Sequence, residues 1–260
     1  MRFKINIELI KGNSFPVNWR SKILRILKKG LKQCDLDIFE DFFGTAKQKN
    51  YTWAVYFHNI KFEKNEIRFL GDEKKAIINF SAYDNVDSLN IYNAFSSLRF
   101  KEIEISEETK VAVTNISILP RKIIKDNVLI VKTMSPIVCR DHNQETKKDT
   151  YYIGTDDKFT EIIKRNLYTR LKELKGEYVK RDIEDLIIDS SQTKKIVVKH
   201  YDKTKKDKTV NYENKFNGKF LDTSVGILKL EGKSYILDYI YNAGLGSITG
   251  SGFGMLEKLK

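Results

Sequence analysis

Cysteine is nearly missing from this chain. Of 260 residues only Cys34 and Cys139 carry a thiol, and they lie far apart. That excludes a disulfide framework and a cysteine-built zinc site. Histidine is almost as scarce. His58, His142 and His200 are its three occurrences, and no two have the i,i+4 spacing of a helical metal pair. No metal site and no cofactor is expected. No apolar run reaches the length of a membrane span, so no membrane partner is expected. The first residues, Met1-Arg2-Phe3-Lys4-Ile5, alternate charged and apolar side chains, unlike a secretory signal. Acidic residues are in deficit: 35 Asp+Glu face 47 Lys+Arg, a net charge of +12. The expectation is a soluble, cytoplasmic protein that attracts polyanions, nucleic acid first among them.

What is present reads as a globular α+β chain. Hydrophobic residues make up 41% of it, enough for a real core. Phe3, Ile5 and Ile7 alternate with Lys4, Asn6 and Glu8, which predicts a half-buried strand over residues 2–9. Ile23, Ile26, Leu27 and Leu31 recur at helical spacing over residues 19–31, with Lys22, Arg25, Lys28 and Lys29 on other faces. Strands follow at residues 51–57, 66–69 and 76–81, a helix at 86–98 and a strand at 111–119. The order is close to β-α-β-β-α-β, the ferredoxin-like unit. Pro120 and the charged stretch after it mark a boundary, placing the first domain at residues 1–122 and the second at 123–260.

The second half repeats the pattern. Strands are predicted at residues 128–133, 183–188, 196–198, 225–230 and 252–259. Helices are predicted at 156–174 and 235–241, the longer one carrying Phe159, Ile162, Ile163, Leu167 and Leu171 as its apolar stripe. Residues 143–150 and 201–209 read as loops, with residues 203–208 a charged hairpin tip. The fold class is therefore α+β, two tandem ferredoxin-like (βαββαβ) domains.

Three features point to chemistry. Five of the 14 glycines, Gly244, Gly246, Gly250, Gly252 and Gly254, fall within eleven residues. Such a loop frees backbone N–H groups for phosphate, or simply makes a tight connection. It has neither P-loop nor dinucleotide spacing. Residues 194–208 hold seven lysines with His200 and Tyr201 among them. Lys199 and His200 there suit an RNA backbone, and a solvated turn is the competing reading. Arg20 and Arg25 on the first helix are further candidates for RNA contact.

Four stretches carry a family resemblance: the strand opening at Met1-Arg2-Phe3-Lys4-Ile5, the segment Thr133-Met134-Ser135-Pro136-Ile137-Val138, the helix after Tyr151-Tyr152, and the ending Gly244-Leu245-Gly246 with Gly250-Ser251-Gly252-Phe253-Gly254. In order and spacing the chain resembles the CRISPR repeat-processing endoribonucleases of the RAMP superfamily. The resemblance implies CRISPR repeat RNA as the partner, with an effector complex or a homodimer as further assemblies. It also implies metal-independent cleavage, in which a 2′-hydroxyl attacks the adjacent phosphate and leaves a 2′,3′-cyclic end.

That family places a histidine shortly after the first helix. Here the region reads Phe42-Phe43-Gly44-Thr45-Ala46-Lys47-Gln48-Lys49-Asn50, without one. Phe43 falls near the histidine position, Lys49 near the family's lysine, and Leu27 or Lys28 near its helix-one tyrosine. Two readings follow. In one, Lys28 and Lys49 are catalytic, with Lys47 beside them on the RNA. In the other, the protein binds repeat RNA without cutting it.

Overall fold

The computed structural model describes residues 1–44, 48–201 and 218–259. Lys47 and the tip at residues 203–208 lie outside the described residues.

The first half is built on β1 (Arg2–Lys11), whose alternating Phe3, Ile5 and Ile7 are fully buried. A short β2 (Ser14–Pro16) leads into α1 (Trp19–Cys34) and α2 (Leu36–Phe43). Then come β3 (Tyr51–Phe57), β4 (Ile60–Phe62), β5 (Glu66–Phe69) and β6 (Lys75–Ala82), α3 (Asn85–Ser96), β7 (Ile103–Glu104) and β8 (Lys110–Leu119). The main sheet runs β3-β6-β1-β8-β7, and its named strand pairs are antiparallel. That is the strand order of a ferredoxin-like unit with one short edge strand added. Helices α1 and α3 pack on each other and share the core with the sheet. Gly30 sits at their closest approach, where an added Cβ would lie 2.2 Å from the Ala94 carbonyl oxygen. Any larger residue would push the helices apart.

The second half holds β9 (Val128–Thr133), the hairpin β10 (Cys139–His142) and β11 (Asp149–Tyr152), α4 (Phe159–Lys175) and α5 (Val179–Glu184). These are followed by β12 (Ile187–Asp189), β13 (Thr193–Tyr201), β14 (Gly218–Glu231), α6 (Ser234–Ala243) and β15 (Leu256–Lys258). Its sheet order, β12-β14-β9-β15, repeats the ferredoxin-like arrangement. One buried cluster draws on residues 3–113 and a second on residues 124–256. Two cores, each under its own sheet, are what the α+β reading requires. Among the described residues no helix is long and apolar enough to cross a membrane.

Element bounds differ from the sequence expectation in four places. The strand predicted at residues 183–188 is shorter and begins later: Ile183 and Glu184 end α5, and the chain is extended over Ile187–Asp189. Val179, Ile183 and Leu186 are buried at i, i+4 and i+7, so helical spacing prevails over β-branched content. The strand predicted at 252–259 is confined to Leu256–Lys258, because Gly252 and Gly254 take φ of 83° and 69°. The loop predicted at 143–150 holds over residues 143–148, where it joins β10 to β11 and is closed by Asn143 Oδ1 accepting from the amides of Glu145 and Thr146. Finally, the short strands at 196–198 and 225–230 belong to a long ribbon in which Thr193 faces Gly226 and Lys199 faces Phe220.

Candidate nucleic-acid interface

The two halves meet along the start of β1, β3 and the glycine loop. Arg2, nine-tenths buried, donates to the carbonyls of Tyr241 (2.6 Å) and Leu256 (2.7 Å) and pairs with Glu257 at 3.2 Å. Burial lowers the pKa of its guanidinium, which the Glu257 carboxylate partly offsets. Thr52 Oγ1 donates to the Phe253 carbonyl at 2.7 Å, and Trp53 Nε1 to that of Gly250 at 3.0 Å. Tyr239 donates its hydroxyl to Asn50 and packs edge-on against Tyr83, with centroids 5.0 Å apart.

The glycine loop is stapled to the segment before β10. Met134 N donates to Met255 O, Gly254 N to Pro136 O and Ser247 N to Val138 O, all at 2.7–2.8 Å. Two stretches singled out separately in the sequence thus form one unit. The expected phosphate cradle is narrower than the loop. The amides of Gly244, Ser247, Gly252 and Gly254 already donate to carbonyls of the protein. Gly244 packs on Thr52, Gly252 on Trp53 and Gly254 on Leu245. These three glycines turn inward and shape the junction. Gly246 and Gly250 line the cleft.

That cleft, about 550 Å³, opens between α1, α4 and the glycine loop. Lys28 reaches it from α1 and Lys49 from the segment before β3. Both stand over the Phe43 ring, 4.4 and 5.8 Å from its centroid. The two lysines expected to be catalytic therefore converge on Phe43. A second chamber of about 240 Å³ adjoins the first and shares Leu24, Lys28 and Ser251 with it. Arg20, Arg25, Lys199 and His200 line it, so the predicted RNA contacts of α1 and β13 meet there. Among the described residues, neither chamber has a carboxylate in its lining. A surface with many cations and no acid is built for a polyanion.

Arg20 is held by aromatic rings rather than acids. Its guanidinium lies 4.2 Å from the Trp19 centroid and 4.5 Å from that of Phe253. Among the described residues it makes no ion pair, and burial lowers its pKa to about 10. It stays charged at neutral pH. Stacking and cation–π contact hold the group in place while leaving its fork for an anion. Arg25 is exposed and donates to the Glu104 carbonyl.

Sequence reading missed Arg170, Arg140, Asn166 and Thr169, all in the cleft wall. Arg170, 5% exposed, donates to the carbonyls of Ala243 (2.9 Å), Gly244 (3.0 Å), Gly246 (3.4 Å) and Lys49 (3.4 Å). It joins both halves at the loop. A signal existed, since Arg170 falls on the buried stripe of α4 beside Leu167 and Leu171. Two histidines stand apart from the cleft lining. His58 is half-exposed, 3.9 Å from Glu73, and His142 ends β10 with Nδ1 2.8 Å from Asp149 rather than lying in a loop.

The comparisons agree with this architecture. Residues 119–258 match the family model described as CRISPR associated protein Cas6, C-terminal. A solved structure of a Cas6-related gene product from Pyrococcus furiosus superposes with a TM-score of 0.79 at 20% identity, covering 100% of this chain and 98% of that one. A RAMP protein described as binding different RNA substrates gives 0.76 at 20% identity, with both chains fully covered. A CRISPR associated protein Cas6 gives 0.72 at 18% identity over 100% and 99% of the two chains. At such identities the structures speak for the fold alone. No curated protein sequence matches. With more than half its length inside that family model, the chain belongs to the CRISPR-associated Cas6 family.

Proposed function

We propose that the chain binds CRISPR repeat RNA across the two chambers and cuts it without a metal. One observation carries the reading: Lys28 and Lys49 converge over Phe43 in a cleft with no carboxylate among its described lining residues. In the reaction, the 2′-hydroxyl gives up its proton and its oxygen bonds to phosphorus. The bond from phosphorus to the 5′-oxygen breaks, and that oxygen takes a proton. A lysine supplies this last proton readily and stabilises the crowded phosphate as charge builds. Clamping the strand between α1 and the glycine loop aligns attack and departure, which by itself removes much of the barrier.

The test is incubation with cognate repeat RNA in excess chelator. Discrete cleavage with a 2′,3′-cyclic end supports the reading. Tight, salt-sensitive binding with intact RNA supports the alternative, a noncatalytic repeat-binding subunit, which Phe43 at the histidine position favours. Lys28→Ala and Lys49→Ala are each expected to slow single-turnover cleavage by about 100-fold. Unchanged rates would remove them from the site.

A further inference from the structure

We infer that His200, delivered from β13 of the second half, is the general base of this reaction, an inference that rests on the cleavage reading above. Among its described lining residues, the first chamber has proton donors and neither a carboxylate nor an imidazole to accept one. Its titratable lining consists of lysines, arginines and Tyr51, whose buried phenol has its pKa pushed up. A lysine that stays protonated cannot take the 2′-hydroxyl proton. An imidazole can, and it is the side chain whose ordinary range brackets neutral pH.

His200 is placed for the task. It lines the smaller chamber together with Lys28, which also lines the larger one. A phosphate held by Lys28 therefore stands at the border, with Lys49 on one side and His200 on the other. The imidazole rests edge-on against Phe253, with centroids 5.5 Å apart and planes at 74°. Phe253 is fully buried and anchored through its carbonyl by Thr52.

The charges around the ring suit a phosphate. Arg20, Arg25 and Lys28 face the chamber from α1, Lys199 precedes His200 on its own strand, and Lys219 lies opposite it in register on β14. All are cations. They draw the phosphate into the chamber, beside the imidazole. The 2′-hydroxyl proton passes to His200, the 2′-oxygen bonds to phosphorus, the 5′-oxygen leaves, and a lysine protonates it. Protons and electron pairs balance without a further reactant.

The experiment is single-turnover cleavage of repeat RNA at saturating protein, from pH 5 to 9, for wild type, His200→Asn and His200→Gln, with RNA affinity measured in parallel. For wild type the rate is expected to fall on the acid side, as the imidazole protonates. Both variants are expected to lose at least about 100-fold in rate, keep their affinity within a few-fold and lose that acid limb. A variant rate equal to wild type, or a loss confined to affinity with the acid limb intact, overturns the assignment and leaves the cleavage reading standing. Wild-type protein that leaves the RNA whole in chelator overturns both.

Discussion

A guanidinium buried beneath a loop needs hydrogen bonds in place of water, and Arg170 finds them in four carbonyls. Arg170→Met would leave the Ala243 and Gly244 oxygens without that donor. The expected loss is about 3 kcal/mol, at roughly 1–3 kcal/mol per orphaned group, read from chemical denaturation. Gly252 poses the opposite problem, one of space. Its φ is 83°, and an added Cβ would stand 2.7 Å from the Trp53 ring. Gly252→Ala is expected to cost about 2 kcal/mol, from strained backbone and displaced indole together, and to lower Tm accordingly. A variant as stable as wild type would mean that the loop does not press on Trp53. Both residues were visible in the sequence, Gly252 as part of a cluster and Arg170 as a cation on an apolar stripe. Neither could be assigned its neighbour, because Trp53 and the Lys49 carbonyl approach only after the halves dock.

Among the elements, the β10–β11 hairpin shows how a turn aims a side chain. Asp149 accepts from His142 Nδ1 at 2.8 Å, and from Lys219 Nζ and the Tyr151 hydroxyl at 3.2 Å, with Arg140 at 3.9 Å. Burial alone would raise its pKa. The His142 and Lys219 hydrogen bonds, with the Arg140 charge, outweigh this and hold it below the usual carboxylate range. The folded pKa is thus depressed, so the stabilisation is complete above the unfolded value and fades as pH falls through the folded one. Asp149→Asn is expected to loosen the hairpin at neutral pH, read as faster amide exchange in residues 139–152. The difference from wild type should vanish in acid below the ordinary carboxylate range. Arg140 would then lose its guide at the cleft wall. The regular elements were legible because their apolar residues keep a period of 3.6 or 2 over many positions, as in α1, β1 and α4. The hairpin and α5 were not, because short elements take their form from what they pack against.

For the molecule as a whole, charge and docking act together. The cations of the two chambers come from both halves, and repeat RNA laid across them would displace counterions. Log affinity is expected to fall linearly with log salt, by about 0.7 per phosphate contacted on single-stranded RNA. Arg20→Gln should flatten that slope by roughly one phosphate's share, about 0.7, with little change in Tm. An unaltered slope would mean that the Arg20 fork does not touch RNA.

The sequence by itself determined the class of fold, the doubling of the βαββαβ pattern, the basic balance and the absence of a histidine beside Phe43. Those are properties of local periodicity and composition, readable without distance. Only the tertiary structure decided that Lys28, Lys49 and His200 border neighbouring chambers, and that Gly244, Gly252 and Gly254 pack against Thr52, Trp53 and Leu245. The reason is separation along the chain. Arg20 meets the Gly252 carbonyl across 232 residues and Thr52 meets that of Phe253 across 201. Contacts of that range exist only once two cores have formed and packed.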